Sequence, residues 1–501
     1  MTKLTLVLSI LLLSESLFGQ TPDTILIARN EANQNNFLEA DKMLTQYNLH
    51  HLDINALRLH AQVLYWMKDF KRSADTYETA LAAFPNAAEV RLDYGNFLFA
   101  TGKLAQAKQM LVSYQVYDNT NAEGNILLAQ LYYWDGNITL AREKLQAVLK
   151  PYPNNATALN ILGQINATTA PYLSIRGIYK SDDQPIQLAG GEIEIGKYIN
   201  RLLSPTFLIN YSHFTLPDNN FNSMWVQVGN KLNIGNGKFS AGVTGGLFTH
   251  QGKERSTTPT VNLLLTQKLS KILSLEANIA ERPYQFTSAS IRTLVMQTFS
   301  GIAINFNQSN NWLGRAAYQI ENFKDDNKIQ TAYLWLLAPL VSRDKFSIKA
   351  GYGFNYANAD VNNFVPATSL STTIQNTAVG ASVKGIYEPY FTPSNQISHS
   401  VLASLSFAFS PKVNFNTRVN IAFSATADNP YLILNKSQNN VFSIDKSYGK
   451  FAYTPVDFQN ELSVKLSGKL LLSGTYGYSR FLFYTVGQGV LHLRYNFIHA
   501  K

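Results

Sequence analysis

Residues 413–421 read Val413-Asn414-Phe415-Asn416-Thr417-Arg418-Val419-Asn420-Ile421, with apolar residues at every odd position except Thr417. Such an alternation is typical of a β-strand with one apolar and one polar face, because successive side chains point to opposite sides. The same pattern recurs in other stretches after Pro171, at 191–195, 273–279, 346–354, 462–466 and 491–497. The sequence therefore predicts a long series of two-faced strands.

The connections between these strands alternate between short and long. Seven are short, at 200–204, 235–237, 268–271, 307–310, 342–344, 410–412 and 467–469. Eight others, most of them longer, lie near 182–188, 217–221, 250–257, 284–292, 324–328, 358–396, 426–453 and 484–488. Fifteen connections give sixteen strands with both ends on the short-turn side, as in outer-membrane barrels. The strands of a soluble β-sandwich also alternate between apolar and polar residues, but such a fold has no reason to keep its long loops at one end. We therefore predict a 16-stranded antiparallel transmembrane β-barrel over residues 171–501.

A different period governs the first third of the chain. Small residues recur every 34 positions, in two sets twelve residues apart: Ala61, Gly95, Ala129 and Gly163, then Ser73, Ala107 and Ala141. An earlier copy, one residue out of phase, contains Ala28 and Ala40. Small side chains let paired helices approach closely, so the pattern resembles the tetratricopeptide repeat. It predicts an α-helical solenoid of about four hairpins over residues 20–166, with an ordinary helical bundle as the alternative.

Residues 1–19 have the features of a secretory signal peptide. Lys3 precedes the apolar run from Leu4 to Leu13, which is too short to span a bilayer, and polar residues follow. We expect cleavage near Gly19 and Gln20. No later stretch has the 18 or more apolar residues that a transmembrane helix requires.

Positive charge is concentrated in the predicted barrel. Residues 171–501 carry 29 Lys and Arg against 18 Asp and Glu, in a chain of net charge +9. This surplus either attracts anionic substrate or lipid phosphates, or consists of strand-end side chains that reach toward head groups. Because the apolar face must contact lipid, the polar face lines the lumen. The predicted lumenal residues are Arg176, Glu192, Glu194, Lys231, Glu276, Arg315, Lys349, Arg418, Glu461, Lys465, His492 and Arg494. Their mixed signs suit a neutral or weakly charged polysaccharide as well as a small polar solute.

Aromatic residues are expected in two places. Candidates for the girdles at the membrane interfaces are Tyr211, Trp312, Tyr333, Trp335, Tyr476, Tyr478, Tyr495 and Phe497. Candidates for stacking on sugar rings in the lumen are Tyr198, Phe214 and Trp225, each of which could equally pack beneath a loop.

Motifs for catalysis are scarce. The chain has no cysteine, which excludes disulfides, thiol nucleophiles and cysteine-ligated zinc. Its eight histidines show no metal-ligand spacing, and there is no glycine-rich phosphate loop. We therefore expect a protein that is not an enzyme, with no catalytic residue, no metal and no cofactor. A lipid hydrolase that pairs His492 with Ser473 or Ser479 is an alternative.

A tetratricopeptide solenoid followed by a sixteen-stranded barrel resembles the outer-membrane exporters of bacterial exopolysaccharides, of the cellulose synthase operon protein C type and the poly-N-acetylglucosamine porin type. Tyr390-Phe391-Thr392-Pro393 is similar to a Tyr-Phe-Ser-Pro-Gln stretch of the cellulose exporter barrel, with Thr392 in place of serine and Gln396 displaced. The resemblance implies an outer-membrane channel that exports exopolysaccharide. It also implies a periplasmic solenoid that docks a periplasmic or inner-membrane protein.

The concave face of such solenoids binds peptides or scaffold proteins. The residues expected to bind a partner there are Tyr65, Tyr94, Asn96, Asn125 and Tyr132. The rival function is a barrel that anchors the solenoid for envelope assembly without transport. We expect contact with outer-membrane lipid and none with nucleic acid. The sequence leaves open whether 358–396 and 426–453 fold into the pore.

Overall fold

A computed structural model describes residues 23–234, 237–252, 255–307 and 312–498. The predicted signal peptide lies outside these residues. The described chain divides into two compact units, one comprising the residues up to 134 together with 139–162, the other 135–138 together with the residues from 163 onward.

The first unit is helical. Its helices, with the last of them continuing into the second unit, are α1 (Asp23–Asn33), α2 (Phe37–His50), α3 (Ile54–Trp66), α4 (Phe70–Ala83), α5 (Ala88–Ala100), α6 (Leu104–Tyr114), α7 (Ala122–Trp134), α8 (Ile138–Leu149) and α9 (Ala156–Thr169). Helices α1 and α2, α3 and α4, and α5 and α6 pack as hairpins. In the part of the chain that the structure describes, no helix is both long and apolar enough to cross a membrane.

The small residues of the 34-residue period lie where paired helices meet. Ala61 and Ala107 are fully buried, and the Ser73 hydroxyl donates to the Ala61 carbonyl oxygen at 2.7 Å. A Cβ atom built on Gly95 would lie 2.7 Å from Cδ2 of Leu111, so even one methyl group does not fit there without a shift. Close packing of paired helices therefore accounts for the period, as predicted.

The turn inside each hairpin has its own repeated feature. Asn35, Lys68, Gly102 and Gly136 all have positive φ, at 65°, 65°, 77° and 73°. Asparagine and glycine tolerate this left-handed conformation, whereas lysine adopts it with strain. The step from Asn35 to Lys68 is one residue shorter than the others, which matches the phase shift of the first repeat.

The second unit is a closed antiparallel β-barrel. Its sixteen strands are numbered in chain order together with four short or accessory strands that lie in the long connections: β12 (Phe364–Pro366), β13 (Ser382–Val383), β14 (Gly385–Tyr387) and β17 (Phe442–Ala452). The barrel strands are β1 (Tyr172–Asp182), β2 (Gln187–Gly196), β3 (Pro205–Thr215), β4 (Asn220–Ile234), β5 (Phe239–Gln251), β6 (Arg255–Lys268), β7 (Leu273–Tyr284), β8 (Val295–Asn307), β9 (Leu313–Phe323), β10 (Lys328–Arg343), β11 (Phe346–Ala359), β15 (Gln396–Ser410), β16 (Val413–Lys436), β18 (Val456–Lys465), β19 (Leu470–Arg480) and β20 (Thr485–Asn496). Strand β20 pairs with β1 and closes the barrel.

The two faces of the strands differ as the alternation predicts. Large apolar side chains are exposed on one face, for example Ile193, Val228 and Leu491 at 47%, 61% and 60%. Arg176, Glu192 and His492 lie on the other face, side by side in register. These features confirm the prediction of a helical solenoid followed by a 16-stranded transmembrane barrel.

The connection over 426–453 is a strand extension rather than an irregular loop. Strand β16 continues to Lys436, and its upper part pairs with β17 (Phe442–Ala452) beyond the barrel strands. Pro430 lies within the extension. Because proline normally argues against a strand, the sequence predicts a connection here instead of a continued strand.

The connection over 358–396 is also structured. It contains β12 (Phe364–Pro366), a short helix (Leu370–Asn376), β13 (Ser382–Val383) and β14 (Gly385–Tyr387). Strand β12 pairs with β14, and β13 pairs with the extension of β16.

Candidate functional site

The inner wall of the barrel carries three arginine–glutamate pairs, one of which joins Arg282 of β7 to Glu321 of β9 at 3.2 Å. On β1 and β2, Arg176 Nη1 lies 2.7 Å from Glu192 Oε1. On β7 and β9, both terminal nitrogens of Arg315 bond to Glu276, the shorter distance being 2.7 Å. Because Arg315 reaches across the intervening strand β8, where it also donates to Asn305 at 2.6 Å, its side chain must lie on the concave side.

A second polar cluster joins the closing strands. Tyr172 OH donates to Glu194 at 2.5 Å, and the guanidinium of Arg494 lies 3.9 Å from the centre of the Tyr172 ring. His492 Nε2 lies 2.9 Å from Ser174 Oγ. These contacts tie β20, β1 and β2 together where the barrel closes.

The register places the other five residues predicted to be lumenal on the same face. Lys231 lies on β4 in the same alternation as Trp225. Lys349 and Arg418 both lie opposite Ser404 of β15. Glu461 lies opposite Asn416 of β16, and Lys465 opposite Leu471 of β19. Within the described residues, none of these five side chains forms an ion pair.

His492 contacts serines on both sides. Its Nδ1 lies 3.5 Å from Ser473 Oγ, in addition to the Ser174 contact of Nε2. A serine hydrolase also needs a carboxylate bonded to the histidine, and in the part of the chain described His492 has no such bond. Ser479, the other serine considered, donates to Asp457 at 2.6 Å.

Two of the girdle candidates face the lumen. Tyr333 OH accepts a hydrogen bond from Arg315 Nε at 3.1 Å, and Trp335 lies opposite Arg315 in the register. The prediction that they line the membrane interface is therefore wrong. Leu334 and Leu336, each 42% exposed, occupy the lipid face instead.

One connection at the long-loop end folds over the barrel. We call residues 285–294, between β7 and β8, the inner loop. Its Ile291 is fully buried against Ile186, Phe214, Leu216 and Phe221. Phe214 is thus packed beneath a loop, whereas Trp225 donates to Thr260 Oγ1 at 2.8 Å on the lumen wall.

The inner loop is also held by polar contacts with other connections. Arg292 bonds to Asp218 of the β3–β4 connection, and this contact lowers the pKa of the Asp218 carboxyl. Gln184 of the β1–β2 connection donates to the Phe286 carbonyl oxygen at 3.1 Å. The inner loop therefore lies over the half of the barrel formed by β1 to β7.

The larger connection, residues 360–395, is called the lid loop. Its Tyr390 is only 1% exposed, and its ring stacks on Phe323 with centroids 3.6 Å apart. Tyr390 OH lies 2.7 Å from each carboxylate oxygen of Asp325. Burial, and next the Asp325 contact, raise the pKa of Tyr390, so the hydroxyl keeps its proton as a donor.

The lid loop reaches opposite sides of the mouth. Phe391 stacks on Phe483 of the β19–β20 connection at 4.1 Å, while its backbone N–H donates to Tyr284 OH at the end of β7. Strands β7 and β19 are eight positions apart in a ring of sixteen. The Thr287 hydroxyl of the inner loop donates to the Pro389 carbonyl oxygen at 2.6 Å, so the two loops meet. Together they cross the long-loop end of the barrel.

The solenoid residues predicted to bind a partner differ in access. Tyr94 is buried, stacks on Tyr77 and donates to Glu78 at 3.0 Å. Asn125 is fully buried and donates to the carbonyl oxygens of Asn119 and Asn121. Neither side chain offers a surface to a partner, so the prediction is corrected for these two.

The other three candidates are half-buried. Tyr65 packs against Phe97, with ring centroids 5.9 Å apart. Asn96 donates to Glu123 at 2.8 Å, and the Lys108 ammonium lies 4.9 Å from the centre of the Tyr132 ring. These three keep part of their surface open, and their role in partner binding stays a prediction.

Sequence reasoning missed a buried polar cluster in the first two hairpins. Asp41 accepts from His60 Nε2 at 2.8 Å and from Arg72 Nη2 at 2.7 Å. Burial lowers the pKa of His60, although Asp41 partly opposes this. Burial raises the pKa of Asp41, but the bonds from Arg72 and His60 outweigh it and hold the pKa below its ordinary value. The three residues lie on three different helices, so no local sequence pattern predicts that they meet.

Comparison with known proteins supports the solenoid. A tetratricopeptide repeat family model matches residues 67–115, which confirms the repeat there. No curated protein matches the chain in sequence.

Several solved structures resemble parts of the chain in shape. A bacterial polysaccharide outer membrane secretin is 7% identical with a TM-score of 0.45, over 66% of this chain and 99% of its own. MamA from Desulfovibrio magneticus RS-1 is 20% identical with a TM-score of 0.27, over 29% of this chain and 84% of its own. PilF of Pseudomonas aeruginosa is 18% identical with a TM-score of 0.27, over 28% of this chain and 66% of its own.

Proposed function

We propose that this protein is a non-enzymatic channel that exports exopolysaccharide across the outer membrane. A sixteen-stranded barrel is too wide for its own side chains to fill, so its interior holds water or a guest. The observation that carries the proposal is the polar inner wall of such a barrel. A polymer of hydrated sugars needs this kind of path through lipid.

One sector of the wall favours sugars in particular. Strands β15, β16, β18 and β19 present mostly hydroxyl and amide side chains to the lumen, namely Ser398, Ser400, Ser404, Ser406, Asn414, Asn416, Asn420, Gln459, Ser463, Ser473 and Thr475. Such groups both donate and accept hydrogen bonds, as sugar hydroxyls do. Trp335 and Tyr333 add aromatic faces on β10, which only β11 separates from this sector.

The solenoid has a supporting role in this proposal. Tetratricopeptide arrays are built to bind other proteins, and Tyr65, Asn96 and Tyr132 retain accessible surface. We propose that the solenoid lies in the periplasm and docks a periplasmic or inner-membrane partner. The partner then brings the polymer to the short-turn end of the barrel.

The lid loop bears on the rival function. A barrel whose mouth is crossed by two loops could also be a plugged anchor for the solenoid. In an exporter the lid must move, whereas in an anchor it stays in place. The two functions therefore differ in whether polymer passes through the lumen.

Deleting the gene and measuring surface polysaccharide tests the proposal. We expect surface polysaccharide to fall, and the full-length gene to restore it. A variant with Ser404, Ser463 and Thr475 replaced by Trp narrows the lumen and should restore export poorly. Its control places Trp at Ala403, Leu462 and Tyr476 on the lipid face, and should restore export fully. Unchanged polysaccharide after deletion contradicts export, and equal rescue by both variants favours the anchor.

A further inference from the structure

Charge is distributed unevenly between the two ends of the barrel. Among described residues in the short turns, or within five positions of a strand end on that side of the barrel, including the start of β1 and the end of β20, sixteen are Lys or Arg and five are Asp or Glu. In the remaining described part of residues 171–498, eleven are Lys or Arg and twelve are Asp or Glu. The positive surplus of the barrel therefore lies at the short-turn end.

These sixteen cations fall into three groups. Ten are rim residues, in the turns or at the last residue of a strand: Lys197, Arg201, Lys238, Lys268, Lys271, Arg343, Lys345, Lys412, Lys465 and Lys469. Two, Arg176 and Arg315, are neutralised by the glutamates they bond. The other four, which we call the lumenal cations, lie inside strands on the inner face: Lys231, Lys349, Arg418 and Arg494.

The lumenal cations have few anionic neighbours. Of the five carboxylates at this end, Glu192 and Glu276 are each held by an arginine at 2.7 Å, and Glu194 accepts from Tyr172 at 2.5 Å. Asp344 lies in a short turn, which leaves Glu461 of β18 as the one lumenal carboxylate among these five with no such bond in the described residues. Within the described residues, the lumenal cations form no ion pair. They lie on β4, β11, β16 and β20, so they are spread around the wall rather than clustered at one point.

Lipid head groups do not account for these four side chains. A cation at the rim can reach phosphates at the membrane surface, as snorkelling side chains do. A cation on the inner wall is separated from lipid by the sheet itself. The lumenal cations therefore face whatever enters the barrel, and a low-dielectric wall strengthens their field in the lumen.

We propose that the short-turn end of the lumen binds a polyanion, so that the exported polymer carries carboxylate, sulfate or phosphate groups. This inference rests on the proposed function and specifies its substrate class. Arg418 can bind a carboxylate through two parallel N–H bonds, and the lysines act as point charges toward successive anionic groups. Cations on four separate strands suit a chain with many charges better than a single small anion.

Binding of defined oligosaccharides to the full-length protein in non-ionic detergent tests the proposal. The probes are an oligogalacturonate and an uncharged cello-oligosaccharide of equal length, measured by isothermal titration calorimetry. We expect the anionic probe to bind at least about tenfold more tightly, and added salt to weaken it. The lid lies at the other end of the barrel, so the result does not require the lid to open.

Matched variants locate the site. The lumenal triple variant K231Q/K349Q/R418Q should lose about tenfold in affinity for oligogalacturonate, which corresponds to about 1.4 kcal/mol. The rim triple variant K238Q/K271Q/K412Q removes the same charge and should bind nearly as the unmodified protein does. The charge-preserving variant K231R/K349R/R418K should keep binding, which separates lost charge from a damaged barrel.

Two results overturn the proposal. Equal affinity for the two probes shows that charge does not select the ligand. Lost binding in the rim variant with retention in the lumenal variant places the anion site at the rim instead of in the lumen. The assay measures binding and not export, so its failure leaves the export function untouched. Export of a neutral polymer through the protein likewise overturns the polyanion proposal and leaves the export function intact.

Discussion

Replacing Tyr390 tests whether the lid loop holds the mouth of the barrel. The side chain is 1% exposed, its hydroxyl lies 2.7 Å from both oxygens of Asp325, and its ring stacks on Phe323. Tyr390→Phe keeps the ring and removes only the hydroxyl. A hydrogen bond to a charged group contributes about 1.5–3 kcal/mol, which corresponds to a shift of roughly 10- to 150-fold in an equilibrium between closed and open lid.

Tyr390→Ala should have a larger effect than Tyr390→Phe. It also removes the buried ring, and truncating a buried aromatic residue costs about 3–5 kcal/mol. The assay is the open probability of the full-length protein in planar bilayers. We expect the order unmodified protein, Tyr390→Phe, Tyr390→Ala, from least to most open. Tyr179→Phe is the control, because Tyr179 is 53% exposed on the lipid face and should not change conduction.

If Tyr390→Ala conducts no more than the unmodified protein while remaining folded, the Tyr390 contacts do not limit opening. A change of equal size in Tyr179→Phe also contradicts the reasoning, because it points to a general loss of barrel integrity.

Three further predictions concern the helical unit, whose unfolding can be followed by its helical circular dichroism in urea. Lys68→Gly relieves a left-handed backbone at φ 65° and should stabilise the unit by about 0.5–1 kcal/mol, whereas a lower stability refutes the strain. Gly95→Ala should destabilise by about 1–3 kcal/mol, because the new Cβ would lie 2.7 Å from Leu111. The control Gly163→Ala has open space around the new Cβ and should be neutral or stabilising, so equal effects of the two substitutions contradict the packing argument. The lowered pKa of His60 means that the unfolded chain binds the proton more readily below pH about 6.5, so stability should fall as the pH drops from 7 to 5. His60→Asn should flatten that dependence, and an unchanged slope assigns it to other groups.

Local periodicity predicted most of the fold. The alternation in residues 413–421 and the spacing of Ala61, Gly95 and Ala129 reflect lipid contact and helix packing, which act on neighbouring residues. Periodicity failed at Tyr333 and Trp335 because both faces of that stretch are apolar. The side of each residue became clear only from its partner Arg315 on the next strand.

The lid could not be predicted from the same signals. Tyr390 contacts Phe323 and Tyr284, which are far away in sequence, and no spacing rule connects them. Tyr94 was misplaced for a related reason, since its burial depends on Tyr77 of the preceding hairpin. The unequal charge of the two barrel ends is a different case. The charged residues can be counted in the sequence, but assigning them to one end of the barrel requires the strand boundaries.

Polymer that leaves through the lumen must pass the lid loop, so locking the lid tests whether export uses this route. The chain has no cysteine, so Phe391→Cys with Phe483→Cys introduces a unique pair for a short reducible crosslinker. In a deletion strain complemented with this variant, we predict that crosslinking stops the appearance of new surface polysaccharide and that reduction restores it. Export that continues at the same rate with the lid locked contradicts passage of polymer through the lumen.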